Sequence, residues 1–148
     1  MGTVVSPVKV VQARFPESLR LAYEMRALEK RLVIDDALRI RLKRHVAVRN
    51  GCTFCTDLAD AQAADTDGVA PGEDAPPPSE RLTAALDYAT AVTDTVSVDA
   101  PTFERLRSHF SEREIVEITW LCATENYYNR MAVPLGIGAD GLCTVPTD

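Results

Sequence analysis

The sequence lacks the features that mark several large functional classes. No apolar run in its 148 residues approaches the roughly 20 residues that span a bilayer. The opening residues show no basic segment followed by a long apolar stretch, which a secretory signal requires. Basic side chains are outnumbered, with 16 Lys and Arg against 22 Asp and Glu, so nucleic acid is an unsuitable partner. We therefore expect a cytoplasmic protein that binds neither membranes nor nucleic acids.

Strand and nucleotide-binding signals are also scarce. The glycines between Gly136 and Gly141 follow a helical pattern and no strand, so they lack the context of a dinucleotide-binding loop. The one β-branched run, Val4 to Val11, contains a proline and lies near the terminus, which predicts an extended arm. The sequence implies no nucleotide, flavin or metal cofactor.

The overall composition is that of a folded protein. Hydrophobic residues make up 46% of the chain and charged residues 26%, as in one soluble globular domain, which we take to extend over residues 1–148. Apolar residues recur at helical intervals, as in Leu38, Leu42 and Val46. A polar, proline-rich stretch at about 65–79 interrupts this pattern and predicts a mobile connection.

Helix boundaries are indicated by local chemistry. Asp35 and Ser79 can cap helix starts, and Ser111 with Glu114 has the spacing of a capping box. Gly51 predicts a helix end, because glycine readily takes the left-handed conformation found there. We expect an all-α, single-domain bundle of about six helices. The predicted helices cover residues 16–31, 35–49, 52–64, 79–94, 99–109 and 111–132.

Two of the four cysteines, Cys52 and Cys55, fall in the first turn of the third predicted helix. Unpaired amides and the positive end of the helix dipole favour a thiolate there, and the i, i+3 spacing brings both sulfurs close enough to form a disulfide. A helix end supplies only about 0.3 to 1 kcal/mol, and Asp57 and Asp60 oppose a thiolate. A redox dithiol at this position therefore needs a proton acceptor from another helix.

Two other interpretations of the pair stay open. Both cysteines could be small core residues without chemistry. A zinc site would need two further ligands, and the remaining candidates form no second cluster of metal ligands. These candidates are Cys122, Cys143, His45 and His109.

Three blocks of sequence carry a more specific signal. They are residues 41–55 (RLKRHVAVRNGCTFC), 110–120 (FSEREIVEITW) and 125–130 (ENYYNR), followed by LGIGADGLC at 135–143. Together they resemble the AhpD-like, carboxymuconolactone decarboxylase superfamily, over about residues 35 to 143. The resemblance implies an AhpD-like helical fold that forms homo-oligomers (dimers, trimers or hexamers) and a CxxC pair that reduces peroxides or cycles as a dithiol.

The resemblance also implies roles for the two cysteines. In peroxidase members the second cysteine, matching Cys55, attacks the peroxide, and the first, matching Cys52, resolves the sulfenic acid to a disulfide. Those members carry a relay glutamate and histidine where this chain has Ile40 and Ala59. The sequence therefore resembles a branch that keeps the CxxC pair, followed by Asp57, without the usual relay.

Glu125 is our first candidate for the missing proton acceptor. It lies on a mostly apolar helix face, which would raise its pKa and suit it to take a thiol proton. The alternative is a structural carboxylate paired with Arg130 or with an arginine of the second predicted helix. Glu117 and His45 are weaker candidates, since we expect a solvated side chain for Glu117 and an exposed basic face around His45.

The remaining polar and aromatic residues have structural interpretations. Asn126 and Asn129 either orient a cleft or lock helix ends, and the same choice applies to Tyr127 and Tyr128. We expect packing roles for Trp120 and Phe54 and an inert buried thiol at Cys122, while His109 is expected to end the fifth helix. Cys143 has no assignable role.

The expected function is that of a thiol-dependent oxidoreductase, which reduces a small alkyl hydroperoxide through a dithiol/disulfide cycle at Cys52 and Cys55 with Glu125. Its partner would be an unidentified dithiol reductant. The alternatives are a carboxymuconolactone decarboxylase-like enzyme that acts on a small lactone, and a non-catalytic, redox-sensing helical subunit.

Overall fold

The computed structural model describes residues 7–66 and 77–138, and within these ranges every regular element is a helix. The predicted all-α fold is confirmed. The described helices are α1 (Pro7–Arg14), α2 (Pro16–Glu29), α3 (Asp36–Arg49), α4 (Thr53–Ala64), α5 (Glu80–Thr95), α6 (Ala100–Arg107) and α7 (Glu112–Ala132).

The helix starts follow the predicted capping chemistry. The side chains of Asp35 and Ser79 accept hydrogen bonds from backbone amides in the first turns of α3 and α5. Ser111 and Glu114 form a complete capping box at the start of α7. Each such cap is worth about 1 kcal/mol, so these short polar residues determine where the chain enters each helix.

The predicted extended arm at the N-terminal end is wrong. Residues 7–14 form α1, and residues 4–6 lie outside the described residues. Pro7 occupies the first helical position, where its missing N–H has no helical acceptor to lose. Packing of α1 against α2 therefore outweighs the weak strand preference of the valines.

The main apolar core lies among α3, α5 and α7, with α6 against α5. Leu42, Val46, Ile118 and Leu121 are almost completely buried there. A smaller apolar cluster surrounds the two cysteines at the junction of α3, α4 and α7. The fold thus places the cysteines beside the core, at the end of α3.

The connection between α4 and α5 corresponds to the predicted proline-rich stretch, but residues 67–76 of it lie outside the described residues. None of the described helices combines the length and the apolar character needed to cross a membrane.

Candidate active site

The cysteine pair follows a tight turn at the end of α3. Gly51 has φ +68°, a conformation that glycine adopts without the strain imposed by a Cβ atom. The Gly51 amide donates to the carbonyl of Val48 (3.1 Å) and the Cys52 amide to the carbonyl of Ala47 (2.9 Å), which is the Schellman pattern of helix termination. Cys52, the residue that precedes α4, therefore lies directly after the end of α3.

Cys52 is the N-cap of α4, and the structure joins it to Cys55 in a disulfide with a Cα–Cα distance of 5.3 Å. The Cys52 sulfur also accepts a hydrogen bond from the Cys55 amide (3.3 Å). The sulfurs are thus as close as the i, i+3 spacing predicts. Cys52 is 1% exposed and Cys55 7%.

Cys55 lines a cavity of about 290 Å³ that is bordered by α1, α2, α3, α4 and α7. The apolar part of its wall includes Leu19, Ala22, Phe54, Leu58, Met131 and Ile137. The polar side chains of the wall are Ser18, Arg26, Lys43, Glu125, Tyr127 and Tyr128. An apolar pocket with a few convergent polar groups is the usual form of a small-molecule site.

Glu125 lies in the wall of the same cavity as Cys55, so two predicted site residues that are far apart in sequence line the same space. The carboxylate is 4% exposed and accepts a hydrogen bond from the Asn129 side chain (2.9 Å). Burial raises the pKa of Glu125 to about 7, although the Lys43 charge and the Asn129 hydrogen bond act in the opposite direction. A carboxyl group that titrates near neutrality suits general acid–base chemistry.

A buried ion pair adjoins the cavity. Glu29 of α2 accepts hydrogen bonds from Arg39 (2.6 Å) and from Lys43 (2.9 Å), and Lys43 also donates to Gln62 of α4 (3.3 Å). Glu29 and Lys43 are 5% and 6% exposed. Such charges are costly to bury unless they are paired, so this pair ties α2 to α3.

The sequence did not reveal this pair, and the predicted exposed basic face around His45 is wrong. Lys43 is buried, and Arg44 pairs with Asp60 of α4 (2.7 Å). His45 lies against α5, with its Nε2 atom 2.7 Å from the hydroxyl of Thr90, and burial lowers its pKa. The burial of Lys43 could have been predicted from the sequence, because Ile40, Val46 and Ala47 lie one helical turn away on the same face.

Side-chain amides connect the cysteine turn to Glu125. Asn50, which ends α3, donates to the side chains of Asn126 and Asn129 (2.9 Å each), and Asn129 in turn donates to Glu125. Asn126 also donates to Thr93 of α5 (3.2 Å). The amides thus lock helices together and orient the carboxylate at the same time.

Glu117, the second carboxylate candidate, has a structural role. The expectation of a solvated side chain is wrong, because Glu117 is buried and accepts hydrogen bonds from the amides of Val33 (2.8 Å) and Ile34 (3.1 Å). Its second oxygen pairs with Arg113 (3.1 Å). These contacts satisfy the backbone that leads into α3.

The positions of the usual relay hold no proton-transfer group. Ile40 and Ala59 are each 1% exposed, and Ala59 lines the cavity. Cys122 is buried in α7, as expected, and burial raises its pKa to about 12. Among residues 7–66 and 77–138 no cluster of potential metal ligands occurs, while Cys143 lies outside these ranges.

Comparisons with known proteins place the chain among uncharacterised relatives. No family model matches it. It is 30% identical over 125 residues to the uncharacterised protein YnjA of Escherichia coli K12, covering 79% of this chain and 69% of YnjA. It is 26% identical over 137 residues to the uncharacterised protein YdfG of Bacillus subtilis 168, covering 82% and 88% of the two chains.

Two solved structures share the fold. One is a protein of unknown function from Agrobacterium tumefaciens, proposed to be the antioxidant defence protein AhpD, with TM-score 0.78, 26% identity and coverage of 89% of this chain and 96% of that one. The other is an uncharacterised peroxidase-related protein with an alkylhydroperoxidase AhpD core from Ralstonia eutropha JMP134, with TM-score 0.68, 23% identity and coverage of 94% and 80%. Given this relatedness, the shared fold and the CxxC pair at the start of α4, the chain is AhpD-like and belongs to the same family as YnjA.

Proposed function

We propose that the protein is a thiol-dependent oxidoreductase with an antioxidant role, which reduces a hydroperoxide through a dithiol/disulfide cycle at Cys52 and Cys55. One observation carries the proposal: the sulfur-bearing residue Cys55 and the carboxyl group of Glu125 line the same cavity. The carboxyl group titrates near neutrality, so it can exchange protons with a thiol at physiological pH.

The proposed cycle begins with the reduced pair. Glu125 takes the proton of the Cys55 thiol, and the thiolate attacks the terminal oxygen of the hydroperoxide. The S–O bond forms as the O–O bond breaks, which gives a sulfenic acid on Cys55 and an alcohol that regains the proton. The Cys52 thiol then attacks this sulfur, releasing water and forming the disulfide. An external dithiol reduces the disulfide and completes the cycle.

The surroundings of the two sulfurs favour this division of roles. Cys55 lines the cavity, where a substrate can reach it. Cys52 is almost fully buried, and its sulfur accepts the amide of Cys55 at the N-terminus of α4. An amide and a helix N-terminus both stabilise a thiolate, so Cys52 is suited to be the resolving thiol and later the leaving group when the external dithiol attacks Cys55.

The cavity favours a small organic hydroperoxide as substrate. Its volume of about 290 Å³ is at the lower end of the range for ligand pockets. Most of its wall is aliphatic or aromatic, and Phe54 and Leu58 flank Cys55 in sequence and line the same space. Burial of an alkyl group against this wall would contribute to binding through the hydrophobic effect.

Consumption of tert-butyl hydroperoxide with dithiothreitol as donor tests the proposal. We expect turnover by the wild type and none by Cys55→Ser. Cys52→Ser that is first reduced and then freed of dithiothreitol should consume one equivalent of peroxide and stop at the sulfenic acid, because no internal thiol resolves it. Cys122→Ser is the matched control, since this buried thiol has no part in the cycle and should leave turnover unchanged. Full turnover by the Cys52→Ser, Cys55→Ser double variant would contradict the proposal.

We propose also that the chain forms a homo-oligomer. Several apolar side chains on α2 and α7 are half or more exposed, among them Leu21, Tyr23 and Val116. Burial of such surfaces between subunits is favourable. Sedimentation velocity should show a dimer, trimer or hexamer at micromolar concentration, and a monomer throughout would contradict this proposal.

A further inference from the structure

Lys43 combines a buried position with a place in the wall of the catalytic cavity. Its side chain is 7% exposed, although lysine is almost never buried in proteins. It lines the same cavity as Cys55 and Glu125. The ion pair with Glu29 accounts for the burial of the charge, but one side of Lys43 still borders the cavity.

The contacts of Lys43 leave one of its hydrogen-bond donors uncommitted. Its Nζ atom donates to Glu29 of α2 (2.9 Å) and to Gln62 of α4 (3.3 Å), and within the described part of the chain these are its acceptors. An ammonium group carries three N–H donors. The remaining N–H is therefore available to an acceptor in the cavity.

Reduction of a hydroperoxide creates a need for such a donor. When a thiolate attacks the terminal oxygen, the electron pair of the O–O bond passes to the other oxygen, which leaves as a strongly basic alkoxide. In a mostly apolar cavity, water does not stabilise this charge, and a fixed cationic donor has a large effect on the rate.

We propose that Lys43 is a catalytic residue that donates a hydrogen bond to the leaving oxygen of the hydroperoxide. The inference rests on the proposed function and adds a residue to it. As the O–O bond breaks and the S–O bond forms on Cys55, Lys43 stabilises the alkoxide, and the protonated Glu125 then delivers its proton to give the alcohol. Lys43 remains an ammonium group throughout, so the step balances without a further reactant.

Other polar groups of the cavity are less suited to this role. Arg26 is exposed, so solvent screens its charge. The hydroxyl group of Tyr128 donates to the carbonyl of Ala22 (3.3 Å), which commits its one proton. Lys43 is the buried cation of the wall, and its position is fixed by contacts on two other helices.

The test compares two oxidants that differ in the basicity of the leaving group. Reduced protein is mixed with tert-butyl hydroperoxide, which releases a strongly basic alkoxide, or with peracetic acid, which releases weakly basic acetate, and formation of the disulfide is followed in a single turnover. For Lys43→Met we expect a loss of about 100-fold with tert-butyl hydroperoxide, as for removal of one oxyanion donor in other enzymes. The loss with peracetic acid should be much smaller.

The control variant is Lys30→Met, which removes an exposed lysine at the end of α2 and should leave both rates unchanged. Because Lys43→Met leaves Glu29 with Arg39 as its remaining partner, the Glu29→Gln, Lys43→Met double variant is measured in parallel and removes both members of the ion pair. It should show the same unequal losses if Lys43 acts on the leaving oxygen.

Equal losses with the two oxidants, or no loss with either, would overturn the inference. Equal losses would mean that Lys43 acts on the thiol or on the structure, since both effects are independent of the leaving group. Wild-type protein that reduces neither oxidant would contradict the proposed function itself, so the two failures are distinguishable.

Discussion

The two faces of α3 border regions of opposite character. One face places Leu42 and Val46 in the apolar core against α5 and α7. The other places Ala47 beside the cysteines and Lys43 in the wall of the cavity. The first region is free of buried charge on this helix, while the second contains a buried ion pair. One helix thus supports stability on one side and the proposed chemistry on the other.

The energetic terms differ accordingly. In the apolar core, each fully buried aliphatic side chain contributes about 1.5 to 3 kcal/mol. Around the cavity, Glu29 and Lys43 compensate each other, whereas Glu125 is a buried carboxyl group whose charged form is disfavoured. The comparison predicts that substitutions in the core reduce stability, whereas substitutions at the cavity change activity without a comparable loss of stability.

The largest effect is expected at the cavity, for Cys55→Ser. Steady-state peroxide reduction should fall to background because the hydroxyl group that replaces the thiol cannot form a sulfenic acid or a disulfide. The midpoint of thermal unfolding, measured on reduced proteins, should stay close to that of the wild type. An active Cys55→Ser protein would contradict the assignment of peroxide reduction to the cavity.

The next effect is expected in the core. Leu42→Ala removes a fully buried side chain and should lower the free energy of unfolding by about 2 to 5 kcal/mol. Urea denaturation followed by circular dichroism measures this loss. Peroxide reduction by the fraction that remains folded should be close to that of the wild type, and a large loss of activity per folded molecule would contradict the separation of the two faces.

An intermediate effect is expected for Glu125→Gln, and it depends on pH. The pKa of Glu125 is raised in the folded state from 4.5 to about 7, so the folded state holds more protons than the unfolded state between these values. The free energy of unfolding of the wild type should therefore fall as pH rises through this window. The glutamine variant should lack this fall. The difference in free energy of unfolding between variant and wild type should therefore shift by about 2 to 4 kcal/mol in favour of the variant between pH 4 and a pH above 7.

The reactivity of the Cys55 thiol should rise over the pH range in which the free energy of unfolding of the wild type falls. The wild-type rate of Cys55 alkylation by iodoacetamide should rise through pH 7 as Glu125 becomes able to accept a proton, and the variant should lose this step. An alkylation profile that is identical in the two proteins would exclude Glu125 from the mechanism.

The smallest effect is expected for Leu58→Ala. Leu58 is half-buried and already borders an open cavity, so truncation removes fewer contacts than at Leu42 and should cost about 1 kcal/mol in urea denaturation. A cost as large as that of Leu42→Ala would show that the cavity region contributes to stability as strongly as the core.

Sequence predicts well what neighbouring residues decide. The caps at Asp35, Ser79 and Ser111 depend on residues within one turn. The short distance between the sulfurs of Cys52 and Cys55 depends on a single turn as well. The position of α1 was missed because packing against α2 decides it. The burial of Glu117 and Lys43 was missed because their partners lie beyond the local turn: the amide of Val33 is 84 positions from Glu117, and Glu29 is 14 positions from Lys43 on another helix.

The disulfide closes a loop of only three residue steps, and this has a consequence for the whole cycle. A cross-link between such near neighbours restricts the unfolded chain little, by roughly 2 kcal/mol compared with about 3 kcal/mol for a 15-residue loop. Opening the bond therefore leaves most of the folding free energy in place, and the atoms that must move belong to a single turn of α4. The proposed cycle passes through the reduced form in every round, so the protein cannot rely on this bond for its shape, which depends instead on the packing of the helices.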